Sequence, residues 1–569
     1  MPTVTSVIPP FPQFAYERPA LESLRTDFET ALAAFTAAGS AAGQIKALEQ
    51  IYALRNQYQT MYNIGHIRHT ADTRDDFYEQ ENNFFDEAGP QFDELKSHFY
   101  RALLDSPFRA ELQAHLGDQL FDIAELSLKV FSPEIISDLQ EENRLSSAYN
   151  KLKATAQIEF EGEIYNLSSL HVKELDPDRD TRRRAATAKW DWMAQQAPEM
   201  ERIFDEMVTL RDGMARRLGF GNFVEMGYAR MLRTDYSAAD VAVFRDQVAR
   251  HIVPLATRLY EAQARRLGLD DLHHYDESLL FPEGNPQPQG SPEWSIEQAG
   301  GMYRELSEET DEFFHFMRRN ELMDLVARDG KATGGYCTFI PGYGAPFIFS
   351  NFNGTSGDID VLTHEAGHAF QVYESRHIAI NEYTWPTYEA CEIHSMSMEF
   401  FTWPWMDRFF GDQVDRYRYG HLASALTFLP YGVAVDEFQH FVYENPGVSP
   451  AERNAAWRRI EEKYLPHRRY AGHAFLEQGG FWQKQSHIFS VPFYYIDYTL
   501  AQICAFQFWL RDQADHASAW NDYLRLCQAG GSKPFLQLVK LANLRSPFDP
   551  GCVREVAGAV SQWLDDHQM

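Results

Sequence analysis

The sequence predicts a mainly α-helical protein of two closely packed lobes, with a small antiparallel sheet in its second half. Apolar residues recur at spacings of three and four along most of the chain, for example from Asp75 to Tyr100, which is the period of amphipathic helices. The 569 residues include 41 Phe, 28 Tyr and 11 Trp, enough apolar material for large cores. Because no long linker separates independent domains, we expect the lobes to pack against each other.

The order of the elements divides the chain into two regions. Residues 1–175 predict an N-terminal helical region with a hairpin near 158–167, where apolar and polar residues alternate on both sides of Gly162. Helical periodicity resumes after Asp176, so we place the second region at 176–569.

The antiparallel sheet is predicted between Gly334 and Phe352. Two strand-like runs there flank a glycine-containing turn at Pro341 to Gly344. The sheet immediately precedes the segment that carries the strongest chemical signal in the chain.

Composition and charge limit the possible classes of function. There are 82 Asp and Glu against 52 Lys and Arg, and the resulting formal charge of −30 disfavours nucleic acid and anionic membranes as partners. The five cysteines lack CxxC spacing and are odd in number, which favours a reducing compartment. The first ten residues lack the features of a signal peptide, and no apolar run is long enough to span a bilayer. We therefore expect a cytoplasmic protein; the sequence does not indicate the number of subunits.

Residues 364–368 read His-Glu-Ala-Gly-His. On a helix, residues four apart lie about 40° apart around the axis, so His364 and His368 are able to bind one metal ion. Thr355-Ser-Gly-Asp358 predicts a capping box at the start of this helix. The apolar residues of the segment recur on the opposite side and predict a core face; they are Ile359, Leu362, Ala366, Ala369 and Tyr373.

A third ligand is required, because a catalytic zinc site takes three protein ligands and leaves one position for water. Glu392, in the helical segment Tyr388 to Phe401, is a carboxylate in a suitable place. Glu389 and Glu399 are predicted on the same helix face, and each is either a hydrogen-bond partner of a metal-binding histidine or an exposed ion-pair residue. We expect His394 to be a structural neighbour and not a fourth ligand.

Together these segments resemble the oligoendopeptidase F and Pz-peptidase group of the thimet oligopeptidase family of zinc metallopeptidases. The resemblance rests on His364 to His368 followed by Glu392-Ile-His-Ser-Met-Ser-Met-Glu399. It extends to four other segments and so covers most of the chain. These segments are Gly334-Gly-Tyr-Cys-Thr338, Phe349 to Thr363, Leu218 to Phe223 and Arg233 to Tyr236.

The resemblance implies a zincin- or gluzincin-like metallopeptidase with a deep substrate channel, whose catalytic region is 176–569. It implies one Zn²⁺ per chain, bound by His364, His368 and Glu392, with Glu365 as general base and then general acid. The implied activity is hydrolysis of internal bonds in short unfolded oligopeptides, including collagen-derived ones.

The resemblance also implies groups that contact the substrate and the developing oxyanion, at His487, Tyr495 and Tyr498. Thimet oligopeptidase has a glycine-rich loop here, whereas this chain has Val491-Pro492-Phe493, so we expect fixed donors. Peptide substrates of such enzymes align along a strand edge, which we place at Phe347 and Phe349.

The sequence leaves two alternative functions open. A zinc carboxypeptidase with the same ligand set would need a cationic anchor for the terminal carboxylate. A peptide-binding scaffold with a non-catalytic metal is disfavoured by the presence of Glu365.

Overall fold

The computed structural model describes residues 8–569. The fold is mainly helical with small sheets, as predicted. Residues 1–7, on which the signal-peptide prediction partly rests, lie outside the described residues. No helix in the described range is both long and apolar enough to cross a membrane.

Within residues 8–569, six α-helices precede the hairpin. They are α1 (Leu21–Ala37), α2 (Ala41–Ala71), α3 (Asp76–Leu104), α4 (Arg109–Leu116), α5 (Asp118–Lys129) and α6 (Ile136–Ala154). The hairpin consists of β1 (Ile158–Phe160) and β2 (Glu163–Tyr165), and lies where the alternation predicts one. Its two-residue turn has positive φ at Glu161 (54°) and Gly162 (85°), the combination that a type I′ turn requires.

Seven helices lie between the hairpin and the sheet. They are α7 (Leu167–Glu174), α8 (Arg179–Arg217), α9 (Phe223–Arg230), α10 (Ala238–His251), α11 (Val253–Arg266), α12 (Pro292–Leu306) and α13 (Glu308–Arg319). Eleven follow it: α14 (Gly357–Ser375), α15 (Tyr388–Phe401), α16 (Asp407–Phe410), α17 (Val414–Glu444), α18 (Pro450–Tyr464), α19 (Ala474–Glu477), α20 (Ser486–Ser490), α21 (Tyr495–Ala514), α22 (His516–Ala529), α23 (Phe535–Leu541) and α24 (Cys552–Asp566).

Two large hydrophobic cores hold most of the helices together, and a small third cluster packs the hairpin against α7 and α8. Helices α1 to α5 share one core, which also takes up Tyr383 from the connection between α14 and α15. The larger core contains most of the remaining apolar side chains, including Leu145 and Tyr149 of α6. Helix α6 thus packs with the second region although it precedes residue 175, and the boundary at 175/176 stays a prediction.

The sheet before α14 has the order β3-β5-β4, with β3 at Met323–Val326, β4 at Tyr336–Ile340 and β5 at Ala345–Phe352. The pair β4–β5 is antiparallel, as predicted, whereas β3 pairs with β5 in parallel. Because β5 lies between β3 and β4, the predicted strand edge at Phe347 and Phe349 is wrong. Both side chains are buried, and the open edge next to Glu365 belongs to β4, which begins directly after Gly335.

Helix α14 has the predicted core face, since its five apolar residues there are at most 4% exposed. The predicted capping box is wrong. Ser356, at the N-cap, makes no side-chain cap, because Asp358 turns back to the preceding loop. Its carboxylate accepts hydrogen bonds from the backbone N–H groups of Asn353 (2.9 Å) and Gly354 (2.8 Å). The start of α14 is therefore anchored through the loop that joins it to β5.

Candidate active site

Three potential metal ligands converge between α14 and α15. One ligand atom each from His364, His368 and Glu392 lies within 4.8 Å of the others. Glu392 Oε2 is 3.2 Å from His364 Nε2 and 3.4 Å from His368 Nε2. Donors bound tetrahedrally to zinc at about 2.0–2.1 Å lie about 3.3 Å apart, so the spacing and the His₂Glu donor set both fit this ion.

The electrostatics of the group also favour a cation. Glu392 is 1% exposed and would be costly to ionise alone. Although burial raises its pKa, the two imidazoles hold the pKa of Glu392 well below its ordinary value. The carboxylate therefore stays ionised and available as a ligand.

A glycine sets the distance between the two helices that carry the ligands. A Cβ atom on Gly367 would lie 2.6 Å from the backbone oxygen of His394 and 2.6 Å from Cα of Ser395. Only glycine allows this approach, which places Glu392, about one turn earlier on α15, next to the histidines of α14. His394 itself does not belong to the described ligand group.

Glu399 contacts a metal-ligand candidate, whereas Glu389 does not. Glu399 Oε1 is 2.7 Å from His364 Nδ1, and its Oε2 is 2.7 Å from Nε2 of His421 on α17. Such a carboxylate fixes the ring orientation, so that Nε2 of His364 faces the site. Glu389 instead lies in the electrostatic field of Arg233 and Asp497 in a fully buried cluster. The structure thus distinguishes two residues that the sequence left equivalent.

We expect Glu399→Gln to weaken Zn²⁺ binding by about 10- to 100-fold, because the amide is a poorer partner for the His364 ring. Zinc competition with a chromophoric chelator measures the affinity. Glu374→Gln, a half-buried carboxylate on α14 that accepts a hydrogen bond from Gln528, is the matched control and should bind zinc normally. Equal affinities of the two variants would contradict the role of Glu399.

Glu365 lies beside the ligands with a free carboxylate oxygen. Among the described residues, its Oε2 has no hydrogen-bond partner although the side chain is buried. Burial raises the pKa of Glu365 above its ordinary value. Gly335 approaches Glu365 so closely that a Cβ there would lie 3.2 Å from Oε1. The arrangement suits a carboxylate that exchanges protons within an enclosed site.

A second group of side chains, from α20 and the start of α21, faces the ligands. His487 Nε2 is 3.1 Å from the Tyr498 hydroxyl, and Gln485 bonds the other ring nitrogen at 2.7 Å. Tyr495 packs its ring against His487, with centroids 5.1 Å apart. The sequence prediction missed Tyr494, whose hydroxyl donates to Glu392 Oε1. From sequence alone, the adjacent Tyr494 and Tyr495 do not indicate which of the two side chains points toward the proposed ligands.

The backbone before these tyrosines is firmly held. Phe493 has a positive φ of 68° and a fully buried ring. Its N–H donates to Gln439 (2.7 Å), and its carbonyl accepts from Arg233 (2.6 Å). A non-glycine residue keeps such a conformation only where its surroundings determine it, so the backbone that leads into Tyr494 is fixed.

Sequence and structure comparisons define the class of the protein. Residues 11–131 match the peptidase M3 N-terminal domain, and residues 173–557 match peptidase family M3. The chain therefore belongs to peptidase family M3 and is a metalloendopeptidase.

Individual solved structures are similar over nearly the whole chain. PZ peptidase A, solved with an inhibitor, is 57% identical, with 98% of this chain and 99% of that chain covered and a TM-score of 0.97. A protein from Bacillus anthracis strain Ames assigned as an oligoendopeptidase F is 53% identical, with coverage of 99% and 100% and a TM-score of 0.93. An oligoendopeptidase F from Enterococcus faecium, 17% identical with coverage of 96% and 97% and a TM-score of 0.65, shares the fold. No protein with curated annotation matches the chain.

Proposed function

We propose that this metalloendopeptidase uses zinc and hydrolyses internal bonds of short unfolded oligopeptides. The observation that carries the proposal is the convergence of His364, His368 and Glu392 within 4.8 Å beside the buried carboxylate of Glu365. The resemblance to PZ peptidase A adds collagen-derived peptides to the candidate substrates. The cysteine pattern supports a cytoplasmic location.

His364, His368 and Glu392 would hold one Zn²⁺ per chain. Bound zinc supplies a Lewis acid that lowers the pKa of water toward neutrality and polarises a carbonyl. Glu365 accepts the proton of the attacking water and then delivers it to the leaving amine, so one carboxylate serves both proton transfers.

Three side chains of the second group complete the reaction site. His487 and Tyr498 donate hydrogen bonds to the oxygen on which negative charge develops, because fixed donors stabilise this charge without reorganisation. Tyr495, whose ring packs on His487, contacts the substrate from the same side. The substrate backbone pairs with the open edge of β4, which makes binding tolerant of sequence.

A length series of internally quenched peptides, blocked at both ends, tests the proposed activity. The same cleavable sequence within a folded protein serves as the comparison. We expect cleavage of blocked short peptides and no cleavage of the folded protein. Resistance of blocked peptides, together with stepwise trimming of free carboxyl ends, would identify a carboxypeptidase and contradict the proposal.

Tyr498→Phe is expected to lower kcat by about 10²-fold with little change in KM, because the lost hydroxyl acts on the transition state. The zinc content of this variant should stay at one per chain. Tyr494→Phe is the matched comparison: it removes the hydroxyl that contacts Glu392 and should chiefly weaken zinc binding. Steady-state kinetics with metal analysis separates the two effects, and an unchanged kcat for Tyr498→Phe would refute its role.

A further inference from the structure

A cavity of about 500 Å³ lies beside the outer end of the open strand β4. Helices α2 and α3 form one wall, and Thr338 and Phe339 of β4 belong to another. The same strand leads back to Gly335, which lies against Glu365. Gly335 and Thr338 are three residues apart, and a strand rises about 3.3 Å per residue. The cavity therefore begins about 10 Å from the Glu365 carboxylate. A peptide that follows β4 away from the site therefore reaches this cavity.

The hydrogen bonds of the sheet show where pairing along β4 ends. The N–H of Ile348 donates to Leu322 O (3.0 Å) on the β3 side, so its neighbour Phe347 faces β4 and pairs with Thr338. Cys337 and Phe339 then direct their backbone groups to the open edge. The carbonyl of Phe339 already accepts a hydrogen bond from Asn63 Nδ2 of α2 (2.5 Å). An extended peptide must leave the edge after Cys337, at the mouth of the cavity.

The charged side chains around the cavity leave one carboxylate uncompensated. Arg55 pairs with Glu382 at 2.5 Å, and Lys96 pairs with Asp93 at 2.7 Å. Asp86 lines the same cavity and has no basic side chain within ion-pair distance among residues 8–569. Because Arg55 and Lys96 are neutralised by these partners, the uncompensated charge in the cavity lining is that of Asp86.

The carboxylate of Asp86 is held in place and remains ionised near neutral pH. Its Oδ2 accepts a hydrogen bond from Ser147 of α6 (2.8 Å). Arg144, which lowers the pKa of Asp86 through space, itself pairs with Glu141 at 2.7 Å. Burial raises the pKa of Asp86 only to about 6.

A buried hydroxyl provides a second, independent indication of a ligand. Tyr58 lines the cavity, is 5% exposed, and its hydroxyl has no hydrogen-bond partner in the described part of the chain. Its ring is fixed by stacking on Phe92, with centroids 4.0 Å apart. A buried hydroxyl without a partner is costly, and a polar ligand group in the cavity would remove this cost.

We propose that the cavity lined by Asp86 and Tyr58 is a subsite for a positively charged group of the peptide substrate, either its N-terminal ammonium or a Lys or Arg side chain, with Asp86 as the counter-charge. The inference rests on the proposed peptidase function and adds a preference for charge at a defined distance from the cleaved bond. Because the ion pairs of Arg55 and Lys96 neutralise the other charges of the cavity, we expect the preference to depend on Asp86.

The test uses the full zinc-loaded enzyme and matched pairs of quenched peptides. One series compares free with acetylated amino termini at increasing distance from the cleaved bond. The other compares arginine with the neutral isostere citrulline at each position. At one distance of the charge from the cleaved bond, we expect about tenfold lower KM for the charged peptide, the effect of one charge-assisted hydrogen bond. The series that shows this lower KM identifies the source of the charge.

Asp86→Asn should abolish this preference by raising KM for the charged peptides to the value for the neutral ones, since the amide retains an acceptor for Ser147 but carries no charge. Asp122→Asn, at an exposed carboxylate of α5, is the control and should keep the preference. Tyr58→Phe retains the ring and should reduce the preference, which provides a second test if Asp86→Asn folds poorly. Equal KM values for every charged and neutral pair would overturn the subsite but not the peptidase function. Failure to cleave any peptide would overturn both.

Discussion

The variant Glu365→Gln is expected to lose about 10³- to 10⁴-fold in kcat/KM while it retains one zinc ion per chain. The amide has nearly the same shape as the carboxylate but is unable to accept the proton of the attacking water. Gly335 should still pack against the side chain, because its approach depends on shape. The proposed zinc ligands His364 and His368 lie on the same helix and are not altered.

Single-turnover cleavage of a quenched peptide and metal analysis measure the two properties separately. Glu374→Gln replaces another glutamate of α14, distant from the ligands and bonded to Gln528, and should remain active. If Glu365→Gln cleaved at a near-native rate, the assignment of the general base would be wrong. Loss of zinc together with activity would mean that Glu365 acts through the metal site and not through proton transfer.

Arg233→Met is expected to destabilise the fold by about 3–5 kcal/mol, the cost of leaving a buried charge without its partner. Arg233 and Asp497 are both fully buried and lie 2.7 Å apart. Glu389 is also fully buried, and burial raises its pKa to about 7 against the attraction of Arg233. Because Glu389 belongs to α15 and Asp497 to α21, the same arginine joins the helix of Glu392 to the helix of Tyr498.

Thermal and urea unfolding measure the loss of stability. Arg202→Met removes an exposed arginine of α8 that also forms two ion pairs, and should leave the unfolding midpoint nearly unchanged. Adding Asp497→Asn to Arg233→Met should recover part of the loss, since it removes the unpaired charge. If Arg233→Met were as stable as Arg202→Met, the cluster would not support the packing of α15 against α21.

The local patterns predicted the helices and the ligand candidates because both depend on residue spacing. Helix α14 shows this directly: its apolar positions are buried, and its two histidines share the opposite face. Spacing alone did not identify Glu392 as the third ligand candidate, because three glutamates of its segment were predicted on the same helix face. The family motif was also needed to select it.

Long-range contacts supplied what the sequence did not indicate. Strand β3 pairs with β5 from a distance in sequence, which moved the open edge from Phe347 to β4. The selection of Glu399 over Glu389 depends on His364 and Arg233, which lie on other elements. The close approach at Gly367 explains a residue within the motif that the metal chemistry alone does not require.

We propose above all that His364, His368 and Glu392 bind the zinc ion that the reaction requires. Titration of the chelator-treated, metal-free protein with Zn²⁺, while cleavage of an end-blocked peptide is followed, tests this claim. We predict no cleavage before zinc is added and a linear rise that ends at one zinc per chain. Full activity of the metal-free protein, or saturation of an active His368→Ala variant at the same stoichiometry, would contradict the claim.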